Sequence, residues 1–415
     1  MLQLKIAIVA CLLTSVLLST VATQAATYYV ATSGNNSNPG TSSQPWRTVA
    51  YAASKMVAGD TTYVRGGTYN EGVIRFGKSG TQSAPIKLLN TSGEFPIINF
   101  IDKSQYHRII IQNSAGYMKP IGWITIEGFE IRNGYEGIKY YNLHDSIIRR
   151  NWIHHSAFQG ILGQGGTRVL FDRNRINHNG RFAACAAGTT TLCFHDHGIY
   201  AYGSSYTITN NLFYDNLGYG VTQNGSSSST YNSTTNPAPE FAGAKNWVIS
   251  NNTFAYNVNR AGLVLWGSQC SNTRIENNIF YENAIKTPSY YTQGIEITAS
   301  PTGVQIRNNL AFASGSGGNA FVVGGTAGVN YTLSGNIVNT LNPKFVNAPA
   351  TLPSSPNFAL ASGSPAINKG LTSSATKTSY TNVSRPQLSL YDVGAFEFYS
   401  SSASLAAPTS LQAVN

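Results

Sequence analysis

The chain repeats one pattern of apolar and polar positions through most of its length. Short alternating apolar stretches run into an asparagine and then into a second apolar pair, as in SIIRRNWI, YTITNNLFY, NWVISNNTF and TRIENNIFY. Successive corners are 23, 23, 37, 41, 26, 31 and 27 residues apart. The corner positions are Gly128, Asn151, Asn174, Asn211, Asn252, Asn278, Asn309 and Asn336. This period predicts a repeat architecture, in which each turn buries its apolar face only against its neighbours.

A second phrase, a glycine followed by a short apolar strand, falls between the corners. It occurs as EGIKYY, QGILGQ, HGIYAY, YGVTQN and AGLVLW. Two strands per turn with an asparagine at the corner predict a parallel β-solenoid, because asparagine tolerates left-handed corners and can hydrogen-bond along the stack. A β-sandwich fits less well, since it would show hairpin turns roughly every 8–12 residues. The segment TVAYAASKMVAGD, residues 48–60, predicts a helix that stops at Gly59 and caps the first coil.

Composition and charge narrow the class of partner. Only 11% of residues are charged, while the chain has 40 Gly and 24 Tyr, which disfavours long amphipathic helices. The formal net charge is +10, but the basic residues are scattered and form no run or basic helix. Nucleic acid is therefore not expected as a partner. An acidic polymer outside the cell fits the charge better.

The first 25 residues, MLQLKIAIVACLLTSVLLSTVATQA, have the layout of a secretory signal peptide. A membrane anchor is the alternative, but the apolar run gives way at once to polar strand-like sequence. We therefore expect a secreted protein, extracellular or periplasmic, with no membrane contact after cleavage. We expect a monomer with one domain over residues 26–400 and a tail or linker over 401–415.

Two cysteines flank a loop next to a pair of histidines. Cys185 and Cys193 enclose AAGTTTL, and a disulfide between them could staple this loop in an oxidising compartment. Cys270 is then left over and is expected to be buried. A zinc site that includes His195 and His197 is the alternative, but the spacing matches no common zinc pattern.

The sequence resembles secreted right-handed parallel β-helix proteins of the pectin-lyase-like superfamily. The block TYYVATSGNNSNPGTSSQPWRTVAYAASKMVAGDTTYVRGGTYNE looks like the first segment of family 9 polysaccharide lyases and their relatives. NPKFVN, FALASGSPAINKG and DVGAFEF look like the closing segment of such bacterial proteins. The resemblance implies an all-β, single-stranded right-handed parallel β-helix with an N-terminal capping helix. It also implies an acidic, uronate-containing polysaccharide as substrate, which is cut by β-elimination, hydrolysed or epimerised.

The two longest intervals point to the site. HNGRFAACAAGTTTLCFHDH and NGSSSSTYNSTTNPAPEFAGAK leave neighbouring coils and could wall a groove across the strands HGIYAY and YGVTQN. If the residue after each glycine points inward, then Lys139, Leu162, Tyr200 and Thr222 form one outward column. Tyr141, Gln164, Tyr202 and Asn224 form a second outward column. Lys139 and Tyr200 would then be about 10 Å apart along the axis.

Elimination next to a uronate needs a carboxylate binder, a base and an acid. We predict His197 or Lys139 as the base and Tyr200 as the acid. Arg181 and His195 are the predicted carboxylate binders. Asp196 either orients a histidine or helps to hold calcium. Further predicted substrate contacts are Tyr202, Tyr141, Gln223 and Trp266.

Three functions remain open at this point. The leading one is a lyase acting on pectate or alginate; the alternatives are a mannuronan-type C5-epimerase and a non-catalytic glycan-binding β-helix. The chain lacks the dense aspartate cluster that holds calcium in family 9 lyases, so the expected cofactor is none or Ca²⁺. HDH matches the Asp-Pro-His motif of the epimerases only in part. Asp172 and Asp215 are predicted to be structural, and no adjacent-coil aspartate pair suggests a hydrolase.

Overall fold

The computed structural model describes residues 25–103, 107–190, 192–225, 243–286, 294–313, 320–372 and 376–399. Nearly all of the predicted signal peptide, most of the second long interval and the predicted tail lie outside these residues. No helix among the described residues is long and apolar enough to cross a membrane.

Parallel strands follow three faces of a solenoid, and we call one full turn a coil. Face 1 contains β4 (Ile74–Phe76), β7 (Ile109–Ile111), the first halves of β11 (Ile138–Arg149) and β13 (Ile161–Asp172), β15 (Ile199–Ser204), β18 (Val221–Asn224), β21 (Leu263–Trp266), β24 (Ile295–Ile297) and β27 (Val322–Val323). Face 2 contains β1 (Thr27–Val30), β2 (Thr61–Val64), β5 (Ile86–Asn90), β9 (Ile124–Glu127), the second halves of β11 and β13, β16 (Thr207–Thr209), β19 (Val248–Ser250), β22 (Arg274–Glu276), β25 (Val304–Arg307) and β28 (Tyr331–Ser334). The short β8 (Ile121–Gly122) pairs with the middle of β11. Face 3 contains β3 (Gly67–Glu71), β6 (Pro96–Phe100), β10 (Glu130–Arg132), β12 (Trp152–His154), β14 (Arg175–Asn177), β17 (Leu212–Tyr214), β20 (Thr253–Ala255), β23 (Ile279–Tyr281), β26 (Leu310–Phe312) and β29 (Ile337–Val338). The predicted parallel β-helix is confirmed.

The predicted asparagine ladder runs along the corner between faces 2 and 3. The side-chain amide of Asn211 donates to Oδ1 of Asn252 at 3.0 Å, and Asn252 donates to Asn278 in the same way. The backbone N–H of Asn211 donates to the same Oδ1 of Asn252. The left-handed residue at this corner is the one before the ladder asparagine, for example Asn210 with φ 55°. Asparagine is therefore required here for its amide more than for its backbone freedom.

A second asparagine ladder, which sequence reasoning missed, follows the corner after face 3. Asn179 donates to Asn216, Asn216 to Asn257 and Asn257 to Asn283, at 2.8–3.2 Å. These asparagines are fully buried. Each lies five positions after a ladder asparagine of the first corner, which is the signal in the sequence.

The glycine of the second phrase lets neighbouring coils approach each other at the start of face 1. A Cβ at Gly198 would lie 2.5 Å from the carbonyl oxygen of Gly220 in the next coil. The residue after each glycine is buried, as at Ile199 and Val221, and lines the continuous core. The phrase therefore fixes which residues of face 1 point inward.

The capping helix is shorter than the sequence predicts. Helix α1 spans Val49–Lys55, and the Thr48 hydroxyl accepts a hydrogen bond from the Tyr51 N–H at 3.2 Å as its N-cap. The chain turns extended at Met56 and buries that side chain in the core, so the helix ends before Gly59. The packing of Met56 overrides the helical spacing of the residues that follow.

The closing segment leaves the solenoid and packs against it. Strands β30 (Phe345–Asn347) and β31 (Asn357–Leu360) pair antiparallel. Phe358 and Val393 of this segment form an apolar cluster with outward residues of face 3 such as Tyr281. Arg385 and Glu397 of the same segment form a buried ion pair at 2.7 Å. The C-terminal coils of face 3 are thereby covered.

Candidate active site on face 1

The outward side of face 1 carries two columns of side chains in register. The strand pairing confirms the predicted alignment of Lys139 with Leu162, of Leu162 with Tyr200, and of Tyr200 with Thr222. The first column consists of Arg75, Ile110, Lys139, Leu162, Tyr200, Thr222, Val264, Glu296 and Val323. The second column includes Tyr141, Gln164, Tyr202, Asn224 and Trp266.

The N-terminal coils of this face form an open, cationic groove. Its lining residues are Val73, Arg75, Arg108, Ile110, Gln112, Lys139 and Tyr141. Arg75 is exposed, and the Lys139 Nζ lies 5.3 Å from the ring centroid of Tyr141. The exposed ring of Tyr117 contacts Tyr141 edge-on, with centroids 5.9 Å apart. Positive charge and flat aromatic rings thus share one surface.

Arg108 contributes to the floor of this groove. Its guanidinium forms an ion pair with the buried Glu136 and lies 5.0 Å from the ring centroid of Tyr135. Burial raises the pKa of Glu136, while Arg108 and Lys139 oppose that shift. Because Arg108 is already paired, Arg75 and Lys139 are the cations best placed to meet an anionic ligand.

Sequence reasoning missed Arg75, Arg108, Gln112 and Tyr117. They belong to the two coils before Lys139. No glycine precedes the strand in RIIIQN, and in EGVIRF the glycine, Gly72, stands one position earlier than in the later coils. The period-2 alternation of these strands was the signal in the sequence that could have identified their outward residues. Aligning Ile109 with Ile138 places Arg75 in the column of Lys139.

His197 is buried at the side of face 1. Its Nδ1 accepts the backbone N–H of Tyr219 at 3.1 Å, and its ring stacks on Tyr200 with centroids 5.6 Å apart. Burial, helped by the nearby His195, Arg260 and Arg181, lowers the pKa of His197 to about 3. The imidazole is therefore neutral near pH 7 and a weak base.

Tyr200 is half-buried beside it. The Tyr200 hydroxyl accepts a hydrogen bond from the Asn224 side-chain amide at 2.8 Å, and burial raises the pKa of this phenol. Tyr200 lies two strand spacings from Lys139 in the first column, or about 10 Å. These two residues could contact one polymer but not one glycosidic bond.

The first long interval is held by a disulfide and an ion pair. Cys185 and Cys193 form the predicted disulfide, and Cys185 lies in a short helix, α2 (Phe182–Ala186), that leads into the enclosed loop. Arg181 donates from Nε and Nη2 to the two oxygens of the fully buried Asp196, at 2.9 and 2.7 Å. The two charges neutralise each other, which leaves neither side chain free for the carboxylate or calcium contact suggested by the sequence.

The remaining predicted substrate-binding residues differ in how far they are buried. Gln223 is fully buried and donates to the Ala244 carbonyl and the Thr273 hydroxyl, so its predicted substrate contact is wrong. Its position alternates with the outward Asn224, which places it in the inward column. Tyr202 is buried, whereas His195 and Trp266 are exposed. Cys270 is buried, as expected.

A calcium site does not emerge from the donors that are present. Among the residues that the structure describes, no group of three or more His, Cys, Asp or Glu side chains is arranged to hold a metal ion. Asp196 already accepts three hydrogen bonds from Arg181. The donor set around the groove does not fit calcium, and we derive no step through it.

Comparison with known families identifies the architecture. A family model described as "Pel9A-like, right handed beta helix region" matches residues 28–187, and a second, "Right handed beta helix region", matches residues 188–338. Together with the parallel strands, these matches show that the chain belongs to the right-handed parallel β-helix proteins of the pectin-lyase-like type. The predicted resemblance is confirmed.

Two solved structures share the fold. The crystal structure of pectate lyase Pel9A is 18% identical, covers 89% of this chain and 96% of its own, and gives a TM-score of 0.50. A protein titled "Glycoside hydrolase" is 9% identical, covers 76% of this chain and 98% of its own, and gives a TM-score of 0.53. At these identities the likeness concerns the fold alone.

Two curated relatives match shorter stretches. Pectate lyase PEL9 of Emericella nidulans is 41% identical over 76 residues, 18% of this chain and 18% of its own. Uncharacterized protein YwoF of Bacillus subtilis is 31% identical over 105 residues, 25% of this chain and 22% of its own. The chain thus spans about a fifth of the length of these relatives.

Proposed function

We propose that this protein is an exported lyase that cleaves a uronate-containing polysaccharide by β-elimination in the open groove of face 1. The observation that carries the proposal is the pairing of Arg75 and Lys139 with the rings of Tyr141 and Tyr117 on one exposed surface. Cations attract the carboxylates of the polymer, and flat rings suit the faces of sugars. The disulfide and the named activity of pectate lyase PEL9 are consistent with an extracellular polysaccharide substrate.

The chemistry assigns one role to each side chain. Arg75 neutralises a uronate carboxylate, which makes the neighbouring C5 proton more acidic. The Lys139 amine, in its unprotonated form, takes that proton. The C4–O bond then breaks, a C4=C5 double bond forms, and the leaving oxygen takes up a proton.

Lys139 is the better base of the two that the sequence suggests. His197 is buried, its Nδ1 already accepts a backbone N–H, and its pKa is about 3. Lys139 lines the open groove. Tyr141 lies beside Lys139 and is better placed than Tyr200 to protonate the same leaving oxygen. The acid role of Tyr200 stays a prediction.

The test measures unsaturated products by their ultraviolet absorbance, with pectate, alginate and hyaluronan as substrates and a neutral glucan as control. Lys139→Ala is expected to lower kcat at least about 100-fold, the range typical of a lost general base. Lys87→Ala removes an exposed lysine from face 2 and is expected to leave kcat unchanged.

Each other outcome has a definite meaning. An altered uronate configuration without chain shortening would indicate the C5-epimerase. Binding without any chemical change would indicate the glycan-binding protein. Unsaturated product from Lys139→Ala at the wild-type rate would remove Lys139 from the mechanism.

A further inference from the structure

We propose that a wall built on Tyr219 closes the face 1 groove on its C-terminal side, so that the enzyme binds a chain end and releases short products of nearly uniform length. This inference rests on the proposed function at the same groove. It concerns the mode of action, which the chemistry of elimination leaves open.

Exposure falls in the middle of the first outward column. Arg75 is exposed, Lys139 and Leu162 are half-buried, and Ile110 between Arg75 and Lys139 is buried in the groove floor. Thr222 and Val264 are buried, although they continue the same column. Asn224 in the second column is buried too, and its neighbour Trp266 is exposed, so the cover lies over the first column. Strand alternation points these side chains outward, so other parts of the protein must cover them.

Tyr219 provides that cover over the first column. It forms a compact apolar cluster with Ala261 and Val264 of the following coil. Its hydroxyl donates to the Glu296 carboxylate at 2.5 Å, one coil further on. The side chain therefore crosses the strand that carries Val264 and lies across the line that a polymer would follow.

The wall is supported from the first long interval. The Arg260 guanidinium lies 4.7 Å from the ring centroid of Phe194 and 5.6 Å from that of Tyr219. The side-chain amide of Asn259 donates to the Cys193 carbonyl at 3.2 Å. Because Cys193 is held by the disulfide, the interval and the wall form one connected body.

The phenol of Tyr219 keeps its proton over the working range. Burial and the nearby Glu296 raise its pKa well above the usual value of 10.0. The hydroxyl thus continues to donate to the carboxylate and does not titrate near neutral pH. The geometry of the wall does not depend on a charge at Tyr219.

The position of the wall sets the product length. Thr222, the first covered position, lies three strand spacings from Lys139, or about 14 Å along the axis. That distance holds about two or three sugar rings beyond the proposed base, if one ring spans about one coil spacing. The open side, toward Arg75, accepts the rest of the chain.

The kinetic consequence is exolytic cleavage. A polymer cut only near its end keeps most of its length, so viscosity falls slowly relative to the unsaturated bonds formed. Tyr219→Ala removes the ring from Val264 and opens the groove. Longer products and a faster loss of viscosity per bond are then expected. Tyr219→Phe keeps the ring and loses only the hydroxyl, so its products are expected to stay short.

A binding experiment tests the closed end without catalysis. Lys139→Ala protein is titrated with oligogalacturonates and oligomannuronates that carry a bulky fluorophore at the reducing end or at the other end. A closed groove predicts that the fluorophore at one end, and not at the other, weakens binding at least about tenfold. The end at which the fluorophore weakens binding is the end of the oligosaccharide that contacts the wall.

Several results would overturn the closed end. Binding that tolerates the fluorophore at both ends, or wild-type products of random length, would show a groove that passes Tyr219. If no unsaturated product forms but one-sided binding is found, the lyase assignment fails and the wall stands. No binding to either acidic oligosaccharide would contradict both proposals. The wild-type results do not depend on whether Tyr219→Ala folds.

Discussion

The two halves of face 1 share one strand pattern and differ in what covers them. In the coils of Arg75 and Lys139 the outward residues meet solvent, and two of them carry positive charge. In the coils of Thr222 and Val264 these two first-column residues are buried, although Trp266 of the second column is exposed, and the next charge along, Glu296, is hydrogen-bonded to Tyr219. The difference shows that alternation sets direction along a solenoid, while packing from the corner loops decides exposure.

The boundary between the halves lies at His197, and its titration is the most sensitive probe of the covered half. Its pKa in the folded state is about 3, below the ordinary 6.5, because burial disfavours the charged ring. The unfolded chain therefore binds this proton at higher pH, and stability is lost as the pH falls from 6.5 toward 3. The expected loss is about 1.4 kcal/mol per pH unit across this window.

Urea unfolding at several pH values measures this loss. His197→Gln is expected to show a shallower fall in the free energy of unfolding than the wild type, since the carboxylates are common to both proteins. His195→Gln removes an exposed imidazole but leaves His197 buried, so it serves as the control and is expected to keep most of the fall. Parallel pH profiles for wild type and His197→Gln would mean that this histidine is solvated in solution.

The same column offers a direct comparison of covered and open positions. Val264→Asp places a carboxylate beneath Tyr219 and is expected to lower the free energy of unfolding by about 3 kcal/mol or more. Leu162→Asp, in the open half, is expected to cost less than about 1 kcal/mol. Similar losses for both variants, measured in urea, would contradict the division of face 1.

The disulfide holds the first long interval, which supports the wall of the covered half. Cys185 and Cys193 close a loop with a sequence separation of 8, for which loop entropy gives about 2.5 kcal/mol of stabilisation. A reducing agent is expected to lower the Tm of the wild type and to leave that of the Cys185→Ser, Cys193→Ser double variant unchanged. An equal change in Tm for both proteins would show that the reducing agent does not act through this disulfide.

The open half is tested through its charge. Arg75→Glu is expected to raise KM for a uronate polymer about tenfold and to lower kcat, because the cation that meets the carboxylates and acidifies the C5 proton becomes an anion. The effect should shrink as salt is added, since exposed charges are screened. Arg274→Glu makes the same change on face 2 and is expected to leave KM unaltered. An equal rise in both variants would point to net charge instead of the groove.

Much of the fold and part of the candidate site could be predicted from the sequence. The ladder corners, the inward residues after each glycine and the alignment of Lys139 with Tyr200 all follow from local spacing. Gln223 was misplaced because its inward position in the alternation was not applied. The partnership of Arg181 with Asp196 and the burial of His197 depend on how the first long interval folds back, which no local period encodes.

The sequence by itself determined the solenoid. Each coil repeats one local pattern, and its apolar side chains and corner asparagines find partners only in the neighbouring coils. It also determined which side chains of each strand point into the core and which point outward, since the period of two is a property of the extended backbone. Only the tertiary structure decided which outward positions stay open. Tyr219, Phe194 and Arg260 come from different coils, and their meeting depends on loop paths and contacts between residues far apart in the chain.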